Sequence, residues 1–526
     1  MRDFQLPGRS AVYASNGMCA TSHPLAAKVA IDLLQAGGNA VDAAIGAAVL
    51  LGICEPQMTG IGGDCFALIK PAGSEKILGL NGSGRAPAAL QGAELRARGL
   101  STVPLSGVEA VTIPGAVDAF CTMSEDHGRL SLSEVLAPAI TYAENGVPVA
   151  PRVQFDWANG AAQLSGAARR FYLNQGEVPE VGEMFRHPQQ AEVLRRIARD
   201  GREGFYGGEV ARDMVDSLRA LGGQHTLEDF AATSCDYVTP LQGSYKGTDL
   251  VELPPNGSGA TAILMANMLA QFDLADMEPF GVQRAHIEAE IAKLAYDTRN
   301  RLLADTDHTT RLAHMLAPET AVSLAALVDP TRAMAAAAPL SESIHKDTVY
   351  LTVVDRDGMA VSLIYSIFHS FGSGIASDRF GVLFQNRGAG FTLEAGHPNE
   401  INGGKRPMHT IIPGMLCHEG RLVMPFGVMG GAYQPNGHIR FLSNMVDFKL
   451  QPQAAIDAPR SFSYEGVMTV ERGYSDAVCA GLSDLGHVVK VPDGPIGGAQ
   501  AIWIDHESGV LMGASDPRKD GCALGY

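Results

Sequence analysis

The hydrophobic pattern of the chain changes character along its length. Near the start, "HPLAAKVAIDLLQAGGNAVDAAIGAAVLLGICEPQ" places apolar residues at helical spacing. Pro24 favours a helix start, and Gly37-Gly38 supplies the positive-φ exit that such helices use. Asn39 can cap a second helix whose Val41, Ala44, Ile45, Ala48 and Val49 share one face. Small residues dominate that face, so close packing on another layer is expected. "MTGIGGDCFALIK" then reads as a glycine-rich turn feeding a strand from Cys65 to Ile69. The middle third is predicted mostly helical. "SLSEVLAPAITYAENG" has a capping box from Ser131 to Glu134 and an Asn145-Gly146 stop, and "GVQRAHIEAEIAKLAYDTRNRLLAD" keeps the helical period.

From Thr348 the period shortens to that of strands. "TVYLTVVD" and "MAVSLIYSI" flank "DRDG", a hairpin signal, and "GVLFQ", "TIIPGML", "RLVMPFG" and "AIWIDHESGVLMGAS" read as further strands. Helices first and strands second, in two sets, predict an α+β layered sandwich. No repeat and no long linker divides the chain into independent domains. The low-complexity piece "TRAMAAAAPLSESIHKD", residues 331–347, stands directly before Thr348.

Composition narrows the partners. Forty basic against 57 acidic residues give a net charge of −17 without a Lys/Arg-rich run, which argues against nucleic acid. The longest apolar stretch, Ala40 to Ile53, carries Asp42 and is too short for a membrane span, so no membrane association is expected. The first residues lack the apolar core of a secretory signal, and the eight cysteines have no CxxC spacing. A cytoplasmic protein with reduced, mostly buried thiols is the expectation. No histidine pair has metal-ligand spacing, so no metal and no cofactor are expected. "GIGGD" lacks the lysine of a phosphate loop, and Asp64 in it reads as a turn residue rather than a catalytic acid.

The join at Thr348 carries the chemistry. A threonine hydroxyl is a weak nucleophile unless a base adjoins it, and a freed α-amine, with a pKa of roughly 7.7–8.0, supplies one from the same residue. That requires cleavage between Asp347 and Thr348. The hydroxyl can attack the Asp347 carbonyl to give an ester that water opens. Such chemistry needs a loose segment upstream and a rigid strand downstream, the pattern seen here. Local spacing alone favours an ordinary strand start, since threonine is a favoured strand residue.

A longer likeness favours the catalytic reading. The chain resembles the γ-glutamyltranspeptidase family of N-terminal-nucleophile hydrolases almost end to end. The likeness runs through "HPLAAKVAIDLLQAGGNAVDAAIGAAVLLGICEPQMTGIGG", "GVEAVTIPGAVDAF", "DTVYLTVVDRDGMAVS" and "GASDPRKDGCALGY". The resemblance implies a four-layer αββα sandwich and a self-cleaving precursor. Its large segment 1–347 would end in the flexible connector 331–347, and its small segment 348–526 would share one core with it. The expected partners are a small-molecule amide substrate and the protein's own processed subunit, with further dimerisation of that heterodimer left open. The resemblance also places the nucleophile on Thr348, a supporting hydroxyl on Ser366, and the oxyanion loop on Gly430 and Gly431.

The chain departs from the family where the donor's amino acid end binds. Phe368 stands where an asparagine is expected, Arg387 replaces a neutral or acidic residue, and Gly390 replaces the aspartate that would meet an α-ammonium. His409-Thr410 stands for two serines. Losing a carboxylate and gaining a guanidinium favours a compact carboxylate over an ammonium. Arg85 lies about two residues out of register from the family's substrate-carboxylate arginine. His369 and Asn386 complete the expected pocket, although isolated histidines such as His369 and His409 more often serve as satisfied structural residues; His345 belongs to the connector. "SIFHSFGSG", "QNRGAGF" and "MHT" are similar to segments of the family's oxamate-hydrolysing branch. The expectation is therefore hydrolysis of a small carboxylate amide, oxamate to oxalate and ammonia. The alternatives are a γ-glutamyltransferase or glutathione hydrolase, then a β-lactam acylase or an unprocessed non-catalytic homologue.

Overall fold

The computed structural model describes residue 5, residues 8–334 and residues 348–526. Two seven-stranded sheets face each other, and in both every neighbouring pair is antiparallel. The first runs Cys522–Gly525, Met18–Thr21, Val349–Val354, Ala360–Ser366, Asp64–Lys70, Leu78–Gly82, Asp236–Val238. The second runs Val12–Ala14, Leu511–Ser515, Gly498–Ile504, Arg421–Met429, Gly414–His418, Thr248–Glu252, Leu241–Tyr245.

Side chains alternate across a strand, and Val349–Val354 shows how the layers follow from that. Val349, Leu351 and Val353 pack with Ala44, Ile45 and Leu51 of the helix Ala40–Cys54 on the outer side. Tyr350 and Val354 point the other way, between the sheets, with Phe66, Ile364, Ile411 and Met415. Burying each such side chain contributes about 1.5–3 kcal/mol. On the far side, the helices Gly259–Leu269, Val282–Leu302 and Gln434–Val446 cover the second sheet. The order of layers is α, β, β, α.

The helix starts follow their capping residues. Pro24 opens Pro24–Gln35, Asn39 and Asp42 form a capping box on Ala40–Cys54, and Ser131 and Glu134 form one on Leu132–Asn145. The helix Ala40–Cys54 is buried all round rather than on one face. At Gly46 a Cβ would meet Leu33 Cδ1 at 2.3 Å and Val135 O at 3.1 Å, so two neighbours use that space.

One expectation holds with an addition and one needs correction. The middle third is mostly helical, and it also contains the hairpin Leu241–Tyr245 and Thr248–Glu252, an edge of the second sheet whose short strands carry little hydrophobic signal. Conversely, "GVLFQ" forms no strand. Only Leu383 bridges to Ala376, and the segment runs over the glycine turn before Asp64, where a Cβ on Gly62 would meet Leu383 O at 2.1 Å.

Candidate active site

The register of the first sheet assembles the site. Val349 pairs with Tyr365 and Ser366 with Asp64, so Thr348, Ser366 and Asp64 follow one another across three adjacent chains at one end of the sheet. Thr348 Oγ1 lies 3.4 Å from Ser366 Oγ, and both residues are buried. The turn "GIGGD" is a packing device: a Cβ on Gly63 would meet Ser366 O at 2.3 Å.

Arg387 backs this row. It is fully buried, donating from Nη2 to Ser366 Oγ at 3.3 Å and from Nη1 to Thr410 Oγ1 at 3.1 Å. Its guanidinium carbon sits 4.1 Å from the centre of the Phe368 ring. Among the described residues no carboxylate pairs directly with it. Burial pushes its pKa down to about 9, against the pull of Asp64, which leaves it charged at neutral pH. Phe368 holds φ +83, a conformation rare for a bulky side chain, and its N–H donates to Ser366 Oγ at 2.9 Å.

Asp64, which its glycine-rich surroundings mark as a turn residue, is the hub of the polar network. Its carboxylate accepts from Gly84 N–H, Gln385 Nε2 and His409 Nε2 at 2.9, 2.9 and 3.1 Å. Burial, then the nearby Arg387 charge, lowers the His409 pKa to about 3 despite Asp64, so the ring is neutral and its Nε2–H donates. No sequence motif marks this role, because its partners are 20, 321 and 345 residues away. Asn386 is spent on local structure: it accepts from His369 N–H and donates to Leu105 O and His369 Nδ1.

Across from the row, the strand Arg421–Met429 runs into Gly430 at φ +119 and Gly431 at φ +55, then a short 3-10 turn and the helix Gln434–Val446. A strand end followed by a helix start gathers backbone N–H groups that no intrahelical carbonyl uses, the arrangement an oxyanion needs. The two sheets come close here because Gly427 lacks a side chain; a Cβ there would meet the Tyr350 ring at 2.3 Å. Thr348, Met429, Gly430 and Gly497 open onto a cavity of about 470 Å³. Its outer wall is formed by Tyr433, Phe462 and Tyr464 with Arg152, Lys490 and Lys519, a wall the sequence reading missed.

Ser366, Phe368, Arg387 and Thr410 thus gather around Thr348, with His369, Asn386 and His409 behind them. Arg85 does not join them. Its side chain is 45% exposed and engages Asp305, Asp236 and Gly404 O. Two residues earlier Ser83 is buried and accepts from Asn256 Nδ2, so the register offset puts the serine inward and the arginine outward. Asp347, His345 and the connector from residue 335 lie outside the described residues.

Facing sheets between helical layers, with a hydroxyl at the head of a central strand and a glycine turn opposite it, define an αββα hydrolase of the N-terminal-nucleophile class. The chain belongs to the gamma-glutamyltranspeptidase family, whose model matches residues 26–526. It is 34% identical to the glutathione hydrolase-like YwrD proenzyme of Bacillus subtilis, over 98% of this chain and 99% of that one. It is 33% identical to the oxamate amidohydrolase proenzyme of Klebsiella pneumoniae, again over 98% and 99%. The crystal structure of cephalosporin acylase from Bacillus halodurans matches with a TM-score of 0.92 at 36% identity, covering 100% of this chain and 99% of that one. The protein is accordingly a hydrolase of this family, acting on amides.

Proposed function

We propose that this protein cleaves itself before Thr348 into segments 1–347 and 348–526, and then hydrolyses small carboxylate amides such as oxamate. The buried Arg387 carries this reading. A guanidinium with two hydroxyl partners and, among the described residues, no direct carboxylate is suited to receive an anion. Ser366 is a neighbour of both Arg387 and Thr348, so a two-carbon acid held by Arg387 and Thr410 presents its amide carbon near the nucleophile. Gly390 offers no carboxylate to an α-ammonium.

In this mechanism the Thr348 amine takes the hydroxyl proton as Oγ1 attacks the amide carbon. The N–H groups of Gly430 and Gly431 hold the oxyanion. The amine returns the proton to the leaving nitrogen, ammonia departs, and water hydrolyses the ester to free the second carboxylate. Ser366 orients Oγ1. Phe368 fills space that a longer acyl chain would take.

A second reading rests on the cavity. Its volume of about 470 Å³, with three aromatic side chains and three cationic ones against the single acidic Glu465 in its wall, exceeds what oxamate needs. It suits an acylase whose amide carries a bulky, anionic amine. Ammonia release from oxamate, turnover of a chromogenic γ-glutamyl anilide and turnover of a cephalosporin amide, measured side by side, separate these readings. Strong anilide turnover with no oxamate hydrolysis would sink the proposal. Denaturing electrophoresis tests the cleavage: two bands for the wild type and one for Thr348→Ala support it, and a lasting single wild-type band removes it.

A further inference from the structure

Far from Thr348 in the sequence, the helix Val282–Leu302 carries His286 and Glu290 one turn apart, and His487 comes against them from the segment after Asp476–Asp484. All three are buried, and one ligand atom from each lies within 4.8 Å of the others. His286 Nδ1 is 2.8 Å from His487 Nε2, which is 4.0 Å from Glu290 Oε1. His286 Nε2 faces Asp329 O at 2.8 Å. A carbonyl only accepts, so that nitrogen carries the proton and the neutral ring turns the Nδ1 lone pair toward His487.

We propose that His286, Glu290 and His487 form a binding site for a transition-metal dication of the Zn²⁺ type. Two imidazole nitrogens and one carboxylate are a borderline donor set, suited to Zn²⁺ or Co²⁺ rather than to the harder Ca²⁺ or Mg²⁺. The hydrogen bond from His286 to a backbone carbonyl is the outer-shell support that fixes a ligand's tautomer. Metal–nitrogen bonds of about 2.0–2.1 Å hold tetrahedral ligand atoms roughly 3.3 Å apart. The two rings therefore part by about half an ångström and Glu290 closes by somewhat more. His487 shifts its proton to Nδ1, and both rings stay neutral.

One cation competes. Lys293 Nζ lies 2.6 Å from Glu290 Oε1 and 3.0 Å from Met334 O, and the ion displaces it from the carboxylate. Glu290 keeps its second oxygen on Met334 N–H at 2.8 Å. The ion would thus tie a helix preceding Thr348 to a loop following it, beside residues 329–334, where Ala333 N–H also donates to Leu485 O.

The test is Co²⁺ titration of chelator-stripped full-length protein, followed by visible absorption, with Zn²⁺ as competitor. The expected result is about one equivalent of Co²⁺ with four-coordinate d–d bands, displaced by Zn²⁺. Affinity falls at least about tenfold in His487→Ala and in His286→Gln. It is unchanged in the exposed control His314→Ala and rises in Lys293→Met, which loses the competing charge. Wild-type protein that binds no Co²⁺ at stoichiometric concentration overturns the proposal without any variant. Binding that survives in folded His487→Ala overturns it as well.

Discussion

Replacing Arg387 by methionine separates what the fold wants from what the proposed chemistry wants. A guanidinium pushed by burial from its ordinary, much higher pKa down to about 9 is held charged at a cost of about 5 kcal/mol. Methionine has similar length and no charge to desolvate. It forfeits the bonds to Ser366 and Thr410 and the stacking on Phe368, which offset part of that cost. Replacing a whole buried ion pair by apolar residues often stabilises by about 1–4 kcal/mol, and Arg387, bonded among the described residues to hydroxyls and not to a carboxylate, leaves no salt-bridge partner stranded when it is removed. With about 2.1 cal/mol/K of unfolding entropy per residue, a chain of 526 residues shifts its midpoint by about 1 °C per kcal/mol. Arg387→Met should therefore melt about 1–4 °C higher. The same change should raise KM for a carboxylate amide at least about a hundredfold, the loss of a buried charge-assisted pair worth about 3 kcal/mol. Scanning calorimetry and initial-rate kinetics on one preparation check both. A variant that melts several degrees lower, or one with unaltered KM, would refute the view of Arg387 as a strained anion receptor.

Three further outcomes follow from named contacts. Gly430→Ala forces a side chain into φ +119 with Gly497 Cα 3.0 Å away, and kcat should fall about 10²–10³-fold while KM changes little, as steady-state kinetics would show. Asp64→Asn leaves Arg387 without its nearest negative charge and turns a donor toward His409 Nε2; denaturant unfolding should show a loss of about 3 kcal/mol or more, and wild-type stability would count against its central place. Burial pushes the Glu55 carboxyl up from 4.5 to about 7 against the pull of Lys519 and Ser22, so the folded state holds that proton more tightly than the unfolded one. The associated stability is complete below about pH 4.5 and lost as pH rises through 7; relative to Glu55→Gln, the wild type should lose about 3 kcal/mol between pH 4.5 and 7.5 in denaturant midpoints.

The parts of this architecture that depend on neighbours in the chain could be read from it. The capping residues Asn39 and Ser131 and the Asp-Gly hairpin between Val354 and Ala360 are local signals, and they hold in the structure. That hairpin sets Thr348 beside Ser366, a pairing that the family resemblance, not the hairpin signal, had singled out. The charge network was not. Asp64 meets Gly84, Gln385 and His409 only because two sheets and a long loop converge, and nothing near Asp64 in sequence announces them. Arg85 shows the reverse failure: its composition suits a carboxylate anchor, but a two-residue offset turns it to solvent and Asp305. The edge hairpin 241–252 escaped because half-exposed strands carry little hydrophobic signal.

The strand order of the first sheet bears on how such a protein can be made. Val349–Val354 lies between Met18–Thr21 on one side and Ala360–Ser366 on the other, and Ala360–Ser366 pairs in turn with Asp64–Lys70. Cys522–Gly525 pairs with Met18–Thr21, so material from before and after Thr348 is shuffled like two halves of a deck. A break ahead of Thr348 would open a covalent bond but no seam along which the halves could part. Neither half by itself would own a complete seven-stranded sheet; each would expose strand edges that invite aggregation. Genes supplying residues 1–347 and 348–526 separately should yield little active protein, whereas one continuous message lets both halves fold together before any cut is made.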